Sequence, residues 1–316
     1  MLRASVLAAF ALASAADDWD AGTNGTCPRL WSACGGDVEA WTGRLDASEL
    51  LVMVVTGQAT WKKRVGAMIL PTWGRRVSAS LVLLSDACGS DGTVPTVTLR
   101  LAGLPPGAWG AFPRQARYEA SKANGYELAQ LRWPVGLQFA AWLAARRPFR
   151  WALTLDDDAY LAAGALRRYV AALPDARAYW GAPCAEVHGR SDLGARLCGG
   201  GGWLFGRRGL LAGGACPTRC LQRRGEFSEA FPQSDKLLPH CLAEDGVEFR
   251  ASPNFLPLPP SFYVAYDDVR NNAVGGRAAK ESEIPNFKGF DLGHFSLVSA
   301  DFWTSDHLSE RSAARR

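Results

Sequence analysis

The chain has 316 residues, 48% of them hydrophobic, and 35 basic against 31 acidic residues give it a formal charge of +4. That length and apolar content suffice for a large core, which excludes a mini-protein held together by staples alone. Its basic residues are scattered apart from pairs such as Arg146-Arg147 and Arg167-Arg168, and this is not the footprint of a nucleic-acid binder.

At the N-terminus Arg3 precedes a short apolar stretch, Ala4 to Ala13, and Ala13-Ser14-Ala15 follows in small-x-small form. This pattern predicts a cleavable secretory signal over residues 1–16. The stretch is shorter than the ~20 residues a membrane span needs, and no other long apolar segment follows, so no span is expected after signal removal. Asn24-Gly25-Thr26 is a glycosylation acceptor pattern. The eight cysteines suit up to four disulfides in an oxidising compartment, with Cys27–Cys34 and Cys216–Cys220 as expected local loops. Zinc is the competing use of cysteine, but the close pair Cys216 and Cys220 has no second such pair to complete a site. These features point to the lumen of the secretory pathway (Golgi or ER) or to secretion.

Residues 17–48 are rich in Gly, Asp, Cys and Trp without periodicity, which reads as a disulfide-tied leader. The apolar run Leu50 to Val55 predicts a strand, Lys62 to Leu70 a helix, Ala79 to Leu84 a second strand ending in Ser85-Asp86, and Thr96 to Arg100 a third. This succession argues for a parallel αβ unit. A Pro/Gly-rich loop over Gly103 to Ala116 leads to a helix from Glu127 to Arg146, with Pro134 expected to kink or restart it. Trp151 to Leu155 reads as a buried strand. A helix from Ala162 to Leu173 and a strand from Tyr179 to Pro183 follow. A short helical pattern spans Lys236 to Leu242, and Ser252 to Pro260, with four prolines in nine residues, is expected to be loop. Residues 306–316 form a polar tail.

The strand Trp151 to Leu155 runs directly into Asp156-Asp157-Asp158. Open α/β sheets bind their ligands at the carboxyl edge, where these acids emerge. Adjacent like charges are costly to desolvate unless a cation or several donors face them, and hard oxygen ligands in a row suit Mg²⁺ or Mn²⁺, which in turn bind diphosphate oxygens. Asp157 and Asp158 are expected to carry the metal, because the acids furthest from the strand project most freely. A solvated acidic turn is the structural alternative. Further along, the run Gly199 to Gly202 lies between Cys198 and Trp203-Leu204-Phe205. Without side chains, Gly200, Gly201 and Gly202 let backbone N–H groups converge on an anion. Asp235, opening the short helix, can equally be a helix cap.

Five segments in this order resemble the Fringe-like β1,3-glycosyltransferases, often called glycosyltransferase family 31. They are Thr56 to Arg64 with Thr72-Trp73-Gly74, Leu83 to Asp86, Trp151 to Tyr160 (WALTLDDDAY), Cys198 to Arg207 (CGGGGWLFGR), and Ser234-Asp235 with Gly246-Val247 beyond. The resemblance covers about residues 50–300, so 49–305 is taken as the transferase domain. It implies a GT-A-type α/β fold, a mixed central sheet with helices on both faces, in which a Rossmann-like nucleotide-binding half precedes an acceptor half without a true linker. It implies further a UDP-sugar donor, Mn²⁺ or Mg²⁺ as cofactor, and a glycan or glycoprotein hydroxyl as acceptor. Thr56, Arg64, Asp86, Asp156, Asp157 and Gly200 to Gly202 then belong to donor binding, Asp157, Asp158 and His294 to the metal, and Asp235 to catalysis as the base. The chain departs from the family at Ser234, where an acid is common, and at Phe255-Leu256-Pro257, where a histidine-bearing segment is expected. These departures motivate the alternative of a secreted, non-catalytic carbohydrate-binding protein on the same scaffold. A calcium-binding, lectin-like use of the aspartates is a third possibility.

Overall fold

The computed structural model describes residues 29–34, 42–43, 45, 49–88, 94–101, 125–183, 197–198, 201–214, 220, 234–252, 254–256 and 294–296. Their strands are β1 (Trp31–Ala33), β2 (Leu50–Thr56), β3 (Leu81–Ser85), β4 (Thr96–Leu99), β5 (Trp151–Asp156), β6 (Ala159–Leu161), β7 (Ala178–Pro183), β8 (Leu197–Cys198), β9 (Trp203–Gly206), β10 (Glu248–Ala251), β11 (Phe255–Leu256) and β12 (His294–Ser296). Helix α1 opens as one turn over Gln58–Thr60 and widens into π-helical turns over Trp61–Ile69. Beyond it come a 3₁₀ helix over Trp73–Ser80, α2 (Gly125–Arg146), α3 (Ala163–Ala172), α4 (Arg207–Gly213) and α5 (Ser234–Glu244).

The main sheet is mixed, in the order β1-β4-β3-β2-β5-β9-β7-β10, with β8 beside β7. Strands β4, β3, β2 and β5 are mutually parallel, as the strand-helix-strand succession predicts. β5 is parallel to β2 but antiparallel to β9, so it forms the seam between a parallel half and a mixed half. Helices cover both faces. Leu51, Met53, Val55, Val82, Leu84 and Ala152 meet α2, and α4 and α5 pack beside α2 on the same face, against the other half of the sheet. Val52, Val54, Leu81, Leu83, Leu153 and Leu155 meet α1, the 3₁₀ helix and α3. The alternation along each strand follows from the period-2 geometry of a pleated strand buried on both faces.

Of the kink or fresh start expected at Pro134, the fresh start does not occur, because α2 continues through it. Proline costs the helix one hydrogen bond. That loss is offset by burial on all sides, since every residue from Leu131 to Ala144 is buried, a helix apolar all round being one that belongs in a core. The strand expected from Ala79 begins at Leu81, its first two residues completing the 3₁₀ helix. The proline-rich segment expected to be loop contains β11, which pairs with β12 in a small second sheet with β6. Its backbone groups need partners, and a neighbouring strand supplies them.

The expected local disulfide loops are corrected. Cys34 pairs with Cys88, 54 residues away, and Cys220 with Cys241, 21 residues away. The reason is that β1 joins the sheet edge antiparallel to β4, with the Cys34 N–H donating to the Thr96 carbonyl at 3.0 Å, so part of the leader is drawn toward the end of β3. Cys241 lies on the buried side of α5. Cys27 and Cys216 fall outside the described residues. Closing a loop as long as that of Cys34–Cys88 contributes roughly 4 kcal/mol in the chain-entropy picture. Both bonds fit an oxidising compartment, and no helix among the described residues is long and apolar enough to cross a membrane.

The Gly246-Val247 pair has a structural role. Gly246 adopts φ 68° and ends α5, with its N–H on the Ala243 carbonyl and that of Val247 on the Leu242 carbonyl, while Val247 enters the core. This is the left-handed helix stop that glycine supports without Cβ strain.

Candidate functional site

Strands β2, β3 and β5 end at one edge of the sheet, and their registers decide which end residues meet. Val55 pairs with Asp156, so Thr56 stands level with Asp157, on the face covered by α1. Thr56 Oγ1 donates to Asp157 Oδ2 at 2.7 Å and Thr60 Oγ1 to the same oxygen at 2.5 Å. Arg64 Nη1 donates to Asp157 Oδ1 at 2.6 Å and lies 3.3 Å from Asp158 Oδ2. Thr60 in turn accepts the Gly57 N–H at 3.3 Å, which uses its hydroxyl as both donor and acceptor. Asp157, expected to project freely, is thus only 6% exposed and held by three side chains.

Asp156 and Asp86 point to the opposite face, toward α2. Trp133 Nε1 donates to Asp156 Oδ1 at 2.9 Å. Asp86 Oδ2 accepts from Arg132 Nη2 at 2.8 Å, and its Oδ1 from the Gln58 N–H at 3.2 Å. Arg132 and Asp86 are buried alike, their side chains 8% and 9% exposed. A Cβ on Gly57 would come within 2.7 Å of the Arg132 guanidinium, so glycine at that position makes room for the ion pair. The carboxylates at this edge are therefore divided between two faces: Asp157 is engaged from α1, with Asp158 beside Arg64, and Asp86 and Asp156 from α2.

The structure brings together Thr56, Arg64, Asp86, Asp156, Asp157 and Asp158, residues up to about a hundred positions apart. Gly202 lies directly behind them. Its φ is 91°, and a Cβ there would meet Leu155 Cδ2 at 2.5 Å and the Thr154 carbonyl at 2.9 Å. Gly202→Ala should therefore lose stability, by roughly 2–4 kcal/mol for left-handed strain and overpacking combined; a denaturant midpoint close to that of the wild type would contradict this. Gly201 is buried, and Gly200 falls outside the described residues. Asp235 is placed by its backbone in the first turn of α5, which lies against β8, the strand that leads into the glycine run. The backbone of His294 pairs with that of Ala159, one residue beyond Asp158. The side chains of Asp235 and His294 lie outside the description.

Thr60, Arg132 and Trp133 were not anticipated from the sequence. A signal for Arg132 exists, since it is the one charged side chain in the otherwise apolar and polar-neutral run Leu131 to Ala144, and buried arginines are rare without a partner. Thr60 and Trp133 carry no such mark. Behind the site Tyr179 stacks on Phe205, and burial raises its phenol above the ordinary range.

The donor chemistry suits a hard divalent cation. Adjacent carboxylates stand at a sheet edge, and a positive guanidinium is already drawn to two of them. Asp157 has both oxygens engaged by protein donors, and Asp158 stands beside it within 3.3 Å of the same guanidinium. Among the described residues no group of three His, Cys, Asp or Glu forms a ligand cluster, and the backbone of β12 pairs His294 with Ala159, next to this edge. Compared with known proteins, the chain matches no family model and no curated protein.

Proposed function

We propose that this protein is an inverting, metal-dependent glycosyltransferase of GT-A type that moves a sugar from a UDP-sugar to a hydroxyl of a glycan or glycoprotein, forming a β1,3 linkage in the secretory lumen. The observation that carries the reading is the convergence of Thr56, Arg64, Asp86 and Asp156 to Asp158 on the carboxyl edge at the seam of the sheet, where ligands of open α/β sheets bind. The resemblance of the five segments supports the reaction class.

In this reading Asp86, held by Arg132 and the Gln58 N–H, orients the nucleoside, and Asp156, fixed by Trp133, faces the ribose or sugar. Asp158 and His294 hold Mn²⁺ or Mg²⁺, which when bound offsets charge on the leaving diphosphate. Arg64 adds a second positive group beside that charge. Asp235 takes the acceptor proton, and a single displacement needs one base and no covalent nucleophile. Calorimetric titration of UDP in Mn²⁺ and then in Ca²⁺, followed by a donor-hydrolysis screen across UDP-sugars, tests the reading. Absence of Mn²⁺-dependent UDP binding would sink it.

A second reading, a non-catalytic carbohydrate-binding protein on the same scaffold, draws support from Asp157, whose oxygens are already engaged by Thr56, Thr60 and Arg64. It is favoured if glycans bind while UDP does not.

A further inference from the structure

Arg64 and a divalent cation compete for the same carboxylates. The Arg64 guanidinium reaches Asp157 Oδ1 at 2.6 Å and Asp158 Oδ2 at 3.3 Å, and its side chain is 25% exposed, so it is partly open to solvent. It projects from the π-helical part of α1, where the Leu70 N–H reaches back to the Val65 carbonyl. Such widened turns are uncommon and frequently mark functional positions. A guanidinium is weakly hydrated and matches the forked oxygens of a carboxylate and of a phosphate equally well. A divalent cation arriving at Asp158 meets a positive charge within contact distance, whereas a diphosphate arriving with it offers that charge a new partner.

We propose that Arg64 is an exchangeable counter-cation. In the ligand-free protein it neutralises the Asp157–Asp158 pair, and when the metal binds at Asp158 it transfers to the diphosphate of the nucleotide. This rests on the glycosyltransferase reading for the identity of the nucleotide. Its consequence is that the metal binds weakly alone and tightly with nucleotide. By linkage the nucleotide gains from the metal by the same factor.

The test compares the full-length wild type with Arg64→Gln and Arg64→Lys, reading Mn²⁺ binding by the electron paramagnetic resonance of free Mn²⁺, first without nucleotide and then with UDP. Arg64→Gln is expected to bind Mn²⁺ alone roughly tenfold more tightly than wild type, and the tightening of Mn²⁺ by UDP is expected to shrink by a similar factor, within the ordinary range of coupling between sites. Arg64→Lys keeps the charge and loses the fork, so it should fall between the two. If Arg64→Gln does not fold, the lysine variant carries the comparison. Mn²⁺ affinity that is unchanged or weaker in the variants, or coupling to UDP that is undiminished, overturns the exchange. So does an absence of Mn²⁺ binding in every protein. If the variants gain Mn²⁺ affinity while no protein binds UDP, the competition between Arg64 and the metal stands, the transfer to diphosphate falls, and the glycosyltransferase reading falls with it.

Discussion

Asp158→Asn is expected to abolish Mn²⁺-dependent UDP binding while leaving the fold intact. Asp158 lies in the turn after β5, with its side chain 18% exposed, and its contact with Arg64 is at 3.3 Å. Exchanging one oxygen for an amide removes a charge a hard cation needs and keeps the size of the side chain. Asp157 provides the contrast. Its carboxylate joins β5 to Thr56 on β2 and to Thr60 and Arg64 on α1, and Asp157→Ala removes all three bonds, leaving Arg64 only its longer contact with Asp158. The expected loss of stability is about 3 kcal/mol, at the low end for a broken buried pair because Arg64 is partly exposed. Calorimetry with UDP and Mn²⁺ together with denaturant melts separates the two variants. If Asp158→Asn bound UDP-Mn²⁺ like wild type, the metal assignment would be wrong. Equal stability loss in both variants would mean that the acids share one structural role.

Asp235→Asn is expected to fold and to bind UDP-Mn²⁺ normally, yet to transfer sugar at least about a hundredfold more slowly, the lower end of what general-base catalysis is worth. Asp235 stands in the first turn of α5, where an acid also interacts favourably with the helix dipole. Asparagine keeps the size of the side chain and gives up only the charge's interaction with the helix dipole, about 0.3–1 kcal/mol, but it cannot accept the acceptor hydroxyl proton. Turnover and stability therefore move independently if Asp235 is the base. Near-normal turnover would leave Asp235 a structural role in the first turn of α5 and direct the search to Glu244, Asp245 or the Asp267-Asp268 pair.

Much of the α/β architecture was legible because its signals are local. An apolar run such as Leu50 to Val55 or Trp151 to Leu155 reads as a strand buried on both faces, and acids directly after such a strand have to emerge at its carboxyl end. The glycine run was marked by composition, although the structure gives Gly202 a close-packed role against Leu155 and Thr154 that no local pattern announces.

What the tertiary structure alone decided depends on register and on contacts between distant segments. Cys34 found Cys88 because β1 joined the sheet edge, and Thr56 found Asp157 because Val55 pairs with Asp156 across 101 positions. The same pleat turned Asp156 toward Trp133 and Asp157 toward Arg64, dividing an acidic triplet that is continuous in sequence between two faces. A period-2 strand sends neighbouring side chains to opposite sides, so the partners of each acid were set by which helix covers each face, and that is a property of the packed fold.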